Sequence, residues 1–222
     1  KNKAHWNDIE DITLESLPNA TPNLNLDLQK ELEAIFKTDQ GIRQIFMSQD
    51  PNEQDAIAIR NGIPVQDNFK DYFPLSKEID SSNILAVEKI IAKYGYPGKR
   101  LVGEPLNKAS YYVIQHSTKI PKYLELIKST AKEGELPMSL AAMMEDRLLM
   151  YEGKEQIYGT QGRTININQP SQQSLIWPIA DFENVNKRRK EAGFSDTVEE
   201  NAKQLFGQDF ELKNLSVEEV EK

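Results

Sequence analysis

From Leu28 to Tyr151 the apolar residues of this chain recur every three or four positions, and only beyond Glu155 do they begin to alternate. A stripe of the first kind folds as an amphipathic helix, whereas alternation belongs to a half-buried strand. Helices are therefore predicted over 26–44, with Leu28, Leu32, Ile35, Phe36 and Ile42 as the stripe, over 54–60, and over 81–94, with Ile84, Val87, Ile90 and Ile91. Asn61-Gly62 reads as a turn, and Pro64 and Pro74 as breaks in anything longer. Gly95-Tyr96-Pro97-Gly98 stops the third helix, and more helices are predicted over 107–117, 122–133 and 138–151. Two strands follow, 155–161 and 174–179, with a short third over 164–168, then helices over 181–192 and 197–206. The class is mainly α, a helical domain with one small antiparallel β-hairpin of two or three strands. That is too few strands for a doubly wound nucleotide-binding sheet. Residues 1–24 read as a polar tail or arm, 25–194 as the helical domain with its hairpin, and 195–222 as a C-terminal helix and acidic tail.

The chain has 222 residues, a formal net charge of -8 and no cysteine. Excess negative charge repels phosphate backbones, so nucleic acid is not an expected partner. Without cysteine there are no disulfides, thiol nucleophiles or thiolate metal sites. No apolar run approaches the roughly 20 residues that a membrane-spanning helix needs. The chain as given begins at Lys1-Asn2-Lys3. A polar start without Met suits a periplasmic or lipid-anchored protein that has lost an upstream segment; otherwise the reading is cytoplasmic.

Between Ala109 and Gln161, polar groups stand where the local pattern asks for apolar ones. They form three islands: Gln115-His116, Glu145-Asp146-Arg147 and Tyr158-Gly159-Thr160-Gln161. Ala109, Tyr112, Val113 and His116 fall at i, i+3, i+4 and i+7, so His116 shares the inward face of its helix while Gln115 points elsewhere. An inward polar group without a partner costs roughly 1–3 kcal/mol, so the islands satisfy one another or line a site. His116 suits a general base, because an imidazole titrates near neutrality. The alternative is a buried histidine bonded to a carbonyl or carboxylate. Asp146 suits the group that orients His116. Arg147 suits an anionic ligand group or, equally, a structural ion pair with Asp39 or Asp181, since a guanidinium keeps its charge when buried.

Read as a strand, the third island puts Gln156, Tyr158 and Thr160 on one face and Ile157, Gly159 and Gln161 on the other. Three polar side chains on one face suit hydrogen-bond recognition, or else a solvated hairpin face. A glycine within a strand marks a bulge or a close approach. Asp39 and Arg43 form an i, i+4 pair, which by itself reads as a solvated helix end, and Asp80 with Asn83 reads as helix capping. Phe69, Tyr72 and Phe73 imply that 48–78 packs on the body. There is no Gly-rich phosphate loop and no Gly-x-Ser-x-Gly elbow, and two distant histidines do not make a usual zinc site. Neither a metal nor a cofactor is expected.

In chain order the motifs are Asp39-Gln40-x-x-Arg43, Asp80-x-x-Asn83, Tyr94-Gly95-Tyr96-Pro97, Val102-Gly103, Gln115-His116-Ser117 and Asp146-Arg147. Gln156-x-Tyr158-Gly159-Thr160-Gln161, Pro178-Ile179-x-Asp181 and Arg188-Arg189-x-x-x-Gly193 follow. In this order they resemble a family of uncharacterised bacterial proteins, a domain of unknown function, over about residues 28–194. The resemblance implies a shared scaffold whose recurring polar residues are the islands above, and brings no activity, substrate or cofactor.

The functional expectation is a pocket for a small molecule or peptide, with acid-base or hydrolytic chemistry that needs no metal. His116 is the base and Asp146 its orienting partner. Asp39, Arg43, Gln115, Arg147, Gln156, Tyr158, Thr160 and Gln161 are the candidate ligand-binding residues. The competing expectation is a protein-interaction module in which the polar islands only fix the packing.

Overall fold

The computed structural model describes residues 24–166 and 172–220. The chain divides into two compact units, whose described residues are 24–136 and 137–220. Among the described residues it is mainly helical, with a single two-stranded antiparallel sheet. The expectations placed on residues 1–23, and on the part of the third strand beyond 166, lie outside the described residues.

The first unit is built on α1 (Leu26–Met47), capped by the Asn25 side chain, which accepts from the Leu28 N–H. α2 (Pro51–Arg60) has proline in its first turn, where its missing N–H costs nothing, and Asp50 as N-cap. α3 (Tyr72–Tyr94) begins nine residues before the predicted start, because Pro74 sits in its first turn and opens the helix instead of breaking it. α4 (Lys99–Val102), α5 (Ala109–Gln115) and α6 (Ile120–Lys132) complete the unit. α5 is buried almost all round, so the face Gln115 occupies is as enclosed as the stripe beside it.

Ile42, Ile45, Ile57, Ala58, Ile63 and Tyr72 form one core, joining α1, α2 and the start of α3. Gly41 makes this junction possible. A Cβ there would lie 2.6 Å from that of Asn61 and 2.9 Å from Ile63 Cδ1, closer than packed carbons approach. Phe46, Phe69 and Phe73 stack beside this core, as the aromatic segment implied.

The second unit opens with α7 (Met138–Tyr151), which has the predicted bounds. The hairpin forms later than predicted: 155–161 is not one of its strands, and β1 (Gly162–Ile165), which overlaps the predicted third strand, pairs with β2 (Gln173–Ile176), Gly162 opposite Ile176. β2 places neighbouring residues in different cores. Leu175 packs with Trp177 and Val220, and Ile176 with Ile179, Val185, Val198 and Ala202. α8 (Val185–Glu191), α9 (Val198–Phe206) and α10 (Val217–Val220) follow. Thr197 and Glu200 form a reciprocal capping box at α9. The acidic tail thus contains a helical turn, with Leu215, Val217 and Val220 covering Leu175 and Trp177.

Candidate functional site

Asp39 lies on the same side of α1 as Ile35, Phe36 and Ile42, and is carried inward with them; it is 1% exposed. His116 follows the last residue of α5 and is its C-cap. Its Nδ1 stands 3.0 Å from Asp39 Oδ1 and 3.1 Å from Oδ2. A carboxylate only accepts, so in this contact Nδ1 carries the proton, and in the neutral form of such a ring Nε2 holds the lone pair. The imidazole is 11% exposed on its side chain, against 1% for the carboxylate that holds it.

Three more groups surround Asp39. The Gln40 side-chain amide donates to Asp39 Oδ2 at 2.7 Å. Arg43 Nη2 lies 3.8 Å from Asp39 Oδ1 and donates to Asp80 Oδ1 at 2.6 Å. The Tyr112 hydroxyl is pushed above its ordinary pKa by burial and secondarily by the negative charge of Asp39. Next to Asp80, Asn83 exchanges hydrogen bonds with Thr38 and reaches the Ile35 carbonyl, so two successive turns of α3 are tied to α1.

These contacts correct three readings. The carboxylate at His116 Nδ1 is Asp39, not Asp146. Asp39 and Arg43 are not a solvated helix end, because α1 runs on to Met47 and buries Asp39 well before its last turn. Asp80 does not cap α3 but lies within it, facing Arg43. Gln40 and Asp80 were missing from the candidate set. The sign that exposed His116, a polar residue in step with an apolar stripe, was equally present at Asp39.

The remaining candidates, Gln115 apart, lie in the second unit. Asp146 is fully buried on α7, and its carboxylate accepts from the N–H groups of Ile157, Tyr158 and Thr160 at 2.7, 3.0 and 3.0 Å and from the Thr160 hydroxyl at 2.9 Å. Burial raises its pKa, opposed by those hydrogen bonds. The carbonyls of the same segment are also taken. Arg188 donates to Ile157, Arg189 to Tyr158 and Asn201 to Gly159, each at 2.9 Å. Gln156 closes the loop, donating to the carbonyls of Gln161 and Trp177 and accepting from the Gln161 N–H. Gln161 donates from its side chain to Thr160 Oγ1 at 2.9 Å.

Residues 157–161 therefore form an irregular loop wrapped around a carboxylate, where a strand was predicted. Just before this loop, Gln156 makes an isolated bridge to Ile179. Gly159 has φ 68°, and a Cβ on it would meet Val198 Cγ2 at 2.5 Å. The close approach inferred at this glycine is thus to α9. Asp181 is held by Arg188 at 2.9 Å and does not cap α8, since its own backbone is left-handed at φ 45°. Arg147 lies on α7 with its Nε buried and without a hydrogen-bond partner among the described residues, and Gln115 is 4% exposed with its Oε1 likewise unpartnered among them. Among the described residues no three His, Asp or Glu side chains converge as a metal-ligand set, and no helix is long and apolar enough to cross a membrane.

The model of a family of unknown function, DUF6624, matches residues 26–214, so the match takes in α9 as well as the segment carrying the ordered motifs. No curated protein and no solved structure matches the chain.

Proposed function

We propose that this chain, which belongs to the DUF6624 family, carries an acid-base centre in which His116 moves protons at Nε2 while Asp39 holds Nδ1. The observation that carries this reading is the contact of Nδ1 with both oxygens of a carboxylate that is 1% exposed. A buried carboxylate in that position selects one tautomer, aligns the ring and stabilises the imidazolium formed when Nε2 takes a proton. Gln40 and Arg43, the latter anchored by Asp80, are positioning residues for Asp39. The chemistry this supports is proton abstraction or activation of a hydroxyl or water for hydrolysis.

Two measurements test it. Nitrogen-15 chemical shifts of His116 in the full chain report where the ring holds its protons, and a proton at Nδ1 is the expected result. Hydrolysis of p-nitrophenyl acetate is expected to exceed the buffer rate and to fall to it in His116→Asn. A ring protonated only at Nε2, or a hydrolytic rate unchanged by His116→Asn, would sink the proposal.

A specific observation favours a second reading for the other unit. The side chains of Asp146, Gln156, Thr160 and Gln161 hydrogen-bond the 156–161 segment itself, as a structural network does. In that reading the chain is an interaction module, and the stacked Phe46, Phe69 and Phe73 supply the sticky surface, Phe73 being 52% exposed. Self-association in sedimentation that disappears in Phe73→Asp would favour it, and a wild-type chain monomeric at all concentrations would count against it.

A further inference from the structure

The Gln40 side chain is 2% exposed, and its orientation is set by its neighbour. Asp39 can only accept, so the amide nitrogen, not the oxygen, must stand at the 2.7 Å contact. Gln40 Oε1 is then turned away from Asp39 on the same rigid amide, buried, and receives no hydrogen bond from the described residues. A buried acceptor left unsatisfied is costly, and here it sits beside the centre proposed above.

The charges around it point the same way. Asp39 and Asp80 are two carboxylates facing one guanidinium, and Arg43 is drawn to Asp80 at 2.6 Å and stands 3.8 Å from Asp39. With a neutral imidazole the group carries an excess negative charge. An incoming phosphate or carboxylate would bring further acceptors to an oxygen that needs a donor, next to that charge. An N–H group satisfies the oxygen, and a positive charge on it is attracted by Asp39.

We infer that the ligand of this site is a small primary amine or amide, neutral or cationic, whose N–H donates to Gln40 Oε1 beside the Asp39–His116 pair. This rests on the acid-base reading of the Asp39–His116 pair. It replaces an anion with an N–H donor as the group the site recognises.

The probes are methylammonium, acetamide, acetate and inorganic phosphate, each titrated at constant ionic strength into the nitrogen-labelled full chain. The resonances followed are the Gln40 side-chain amide and the His116 ring. Methylammonium or acetamide is expected to move both in a saturable way, and acetate and phosphate are not. Gln40→Met keeps the volume and removes the acceptor, and is expected to weaken the binding about tenfold. Its methyl spectrum checks that the fold is kept.

Saturable binding of phosphate or acetate instead, or of no probe, would overturn the inference. So would affinity for methylammonium and acetamide unchanged in a folded Gln40→Met. The wild-type comparison of the four probes decides the matter if that variant does not fold. The two proposals fail separately. A His116 ring protonated only at Nε2 before any probe is added defeats the acid-base reading, whereas a proton at Nδ1 without probe binding defeats only the ligand class.

Discussion

At the scale of single residues, Asp39 and His116 depend on each other for their meaning. An inward aspartate in a helix is expensive unless something donates to it, and an inward histidine has no fixed tautomer unless something accepts from it. Each supplies what the other lacks. Asparagine at position 39 is nearly the same shape but offers both a donor and an acceptor, so the ring is free to hold its proton at Nε2. Asp39→Asn is therefore expected to lower the rate of any His116-dependent reaction roughly 10²- to 10⁴-fold with little change in Tm, measured by steady-state kinetics beside thermal melting. Gly159 is the opposite kind of residue, with no chemistry and no substitute. Alanine there meets both a left-handed backbone and Val198, and Gly159→Ala should cost about 2–4 kcal/mol in urea unfolding. A loss below about 0.5 kcal/mol would mean that α9 gives way.

Among the elements, α7 and the 157–161 loop are joined by one carboxylate. Removing it in Asp146→Ala leaves three backbone N–H groups without their acceptor, an expected loss of about 3 kcal/mol or more by chemical denaturation. The sign of its pH dependence follows from the raised pKa. The folded chain binds this proton more tightly than the unfolded chain. The stabilisation this contributes is fully present below the ordinary carboxylate pKa of about 4 and is lost as pH rises through the higher folded value. Urea midpoints of the wild type and Asp146→Asn, measured from acid to neutral pH, should show the wild type's relative advantage shrinking as pH rises through that range. A gap that widens would place the folded pKa below the ordinary one.

For the whole molecule, each unit has apolar cores of its own, one around Ile42, Ile45 and Ile57, the others around Ile176, Val198 and Trp177. Damage in one core should then be felt first in its own unit. In Gly159→Ala, amide hydrogen exchange is expected to quicken across 137–220 more than across 24–136. Equal acceleration in both would show that they unfold as one.

What the chain's own order of residues determined is the class of most elements, the helices above all, and much of their place. Helical spacing is a local property, readable over a dozen residues, and so α7 has its predicted bounds and α1 differs only at its end. The first turn of α3 was hidden because proline breaks a helix in its interior yet is harmless at its start, and only packing tells the two apart. The island at 157–161 was visible as unusual but not as a loop, because what shapes it is a carboxylate on α7 and two arginines on α8, well away along the chain. The same distinction governs the candidate site. His116 was legible because it interrupts its own helix, and Asp39 could have been. Which carboxylate meets the imidazole was decided in three dimensions, since Asp39 and His116 are 77 positions apart and no periodicity carries across that distance.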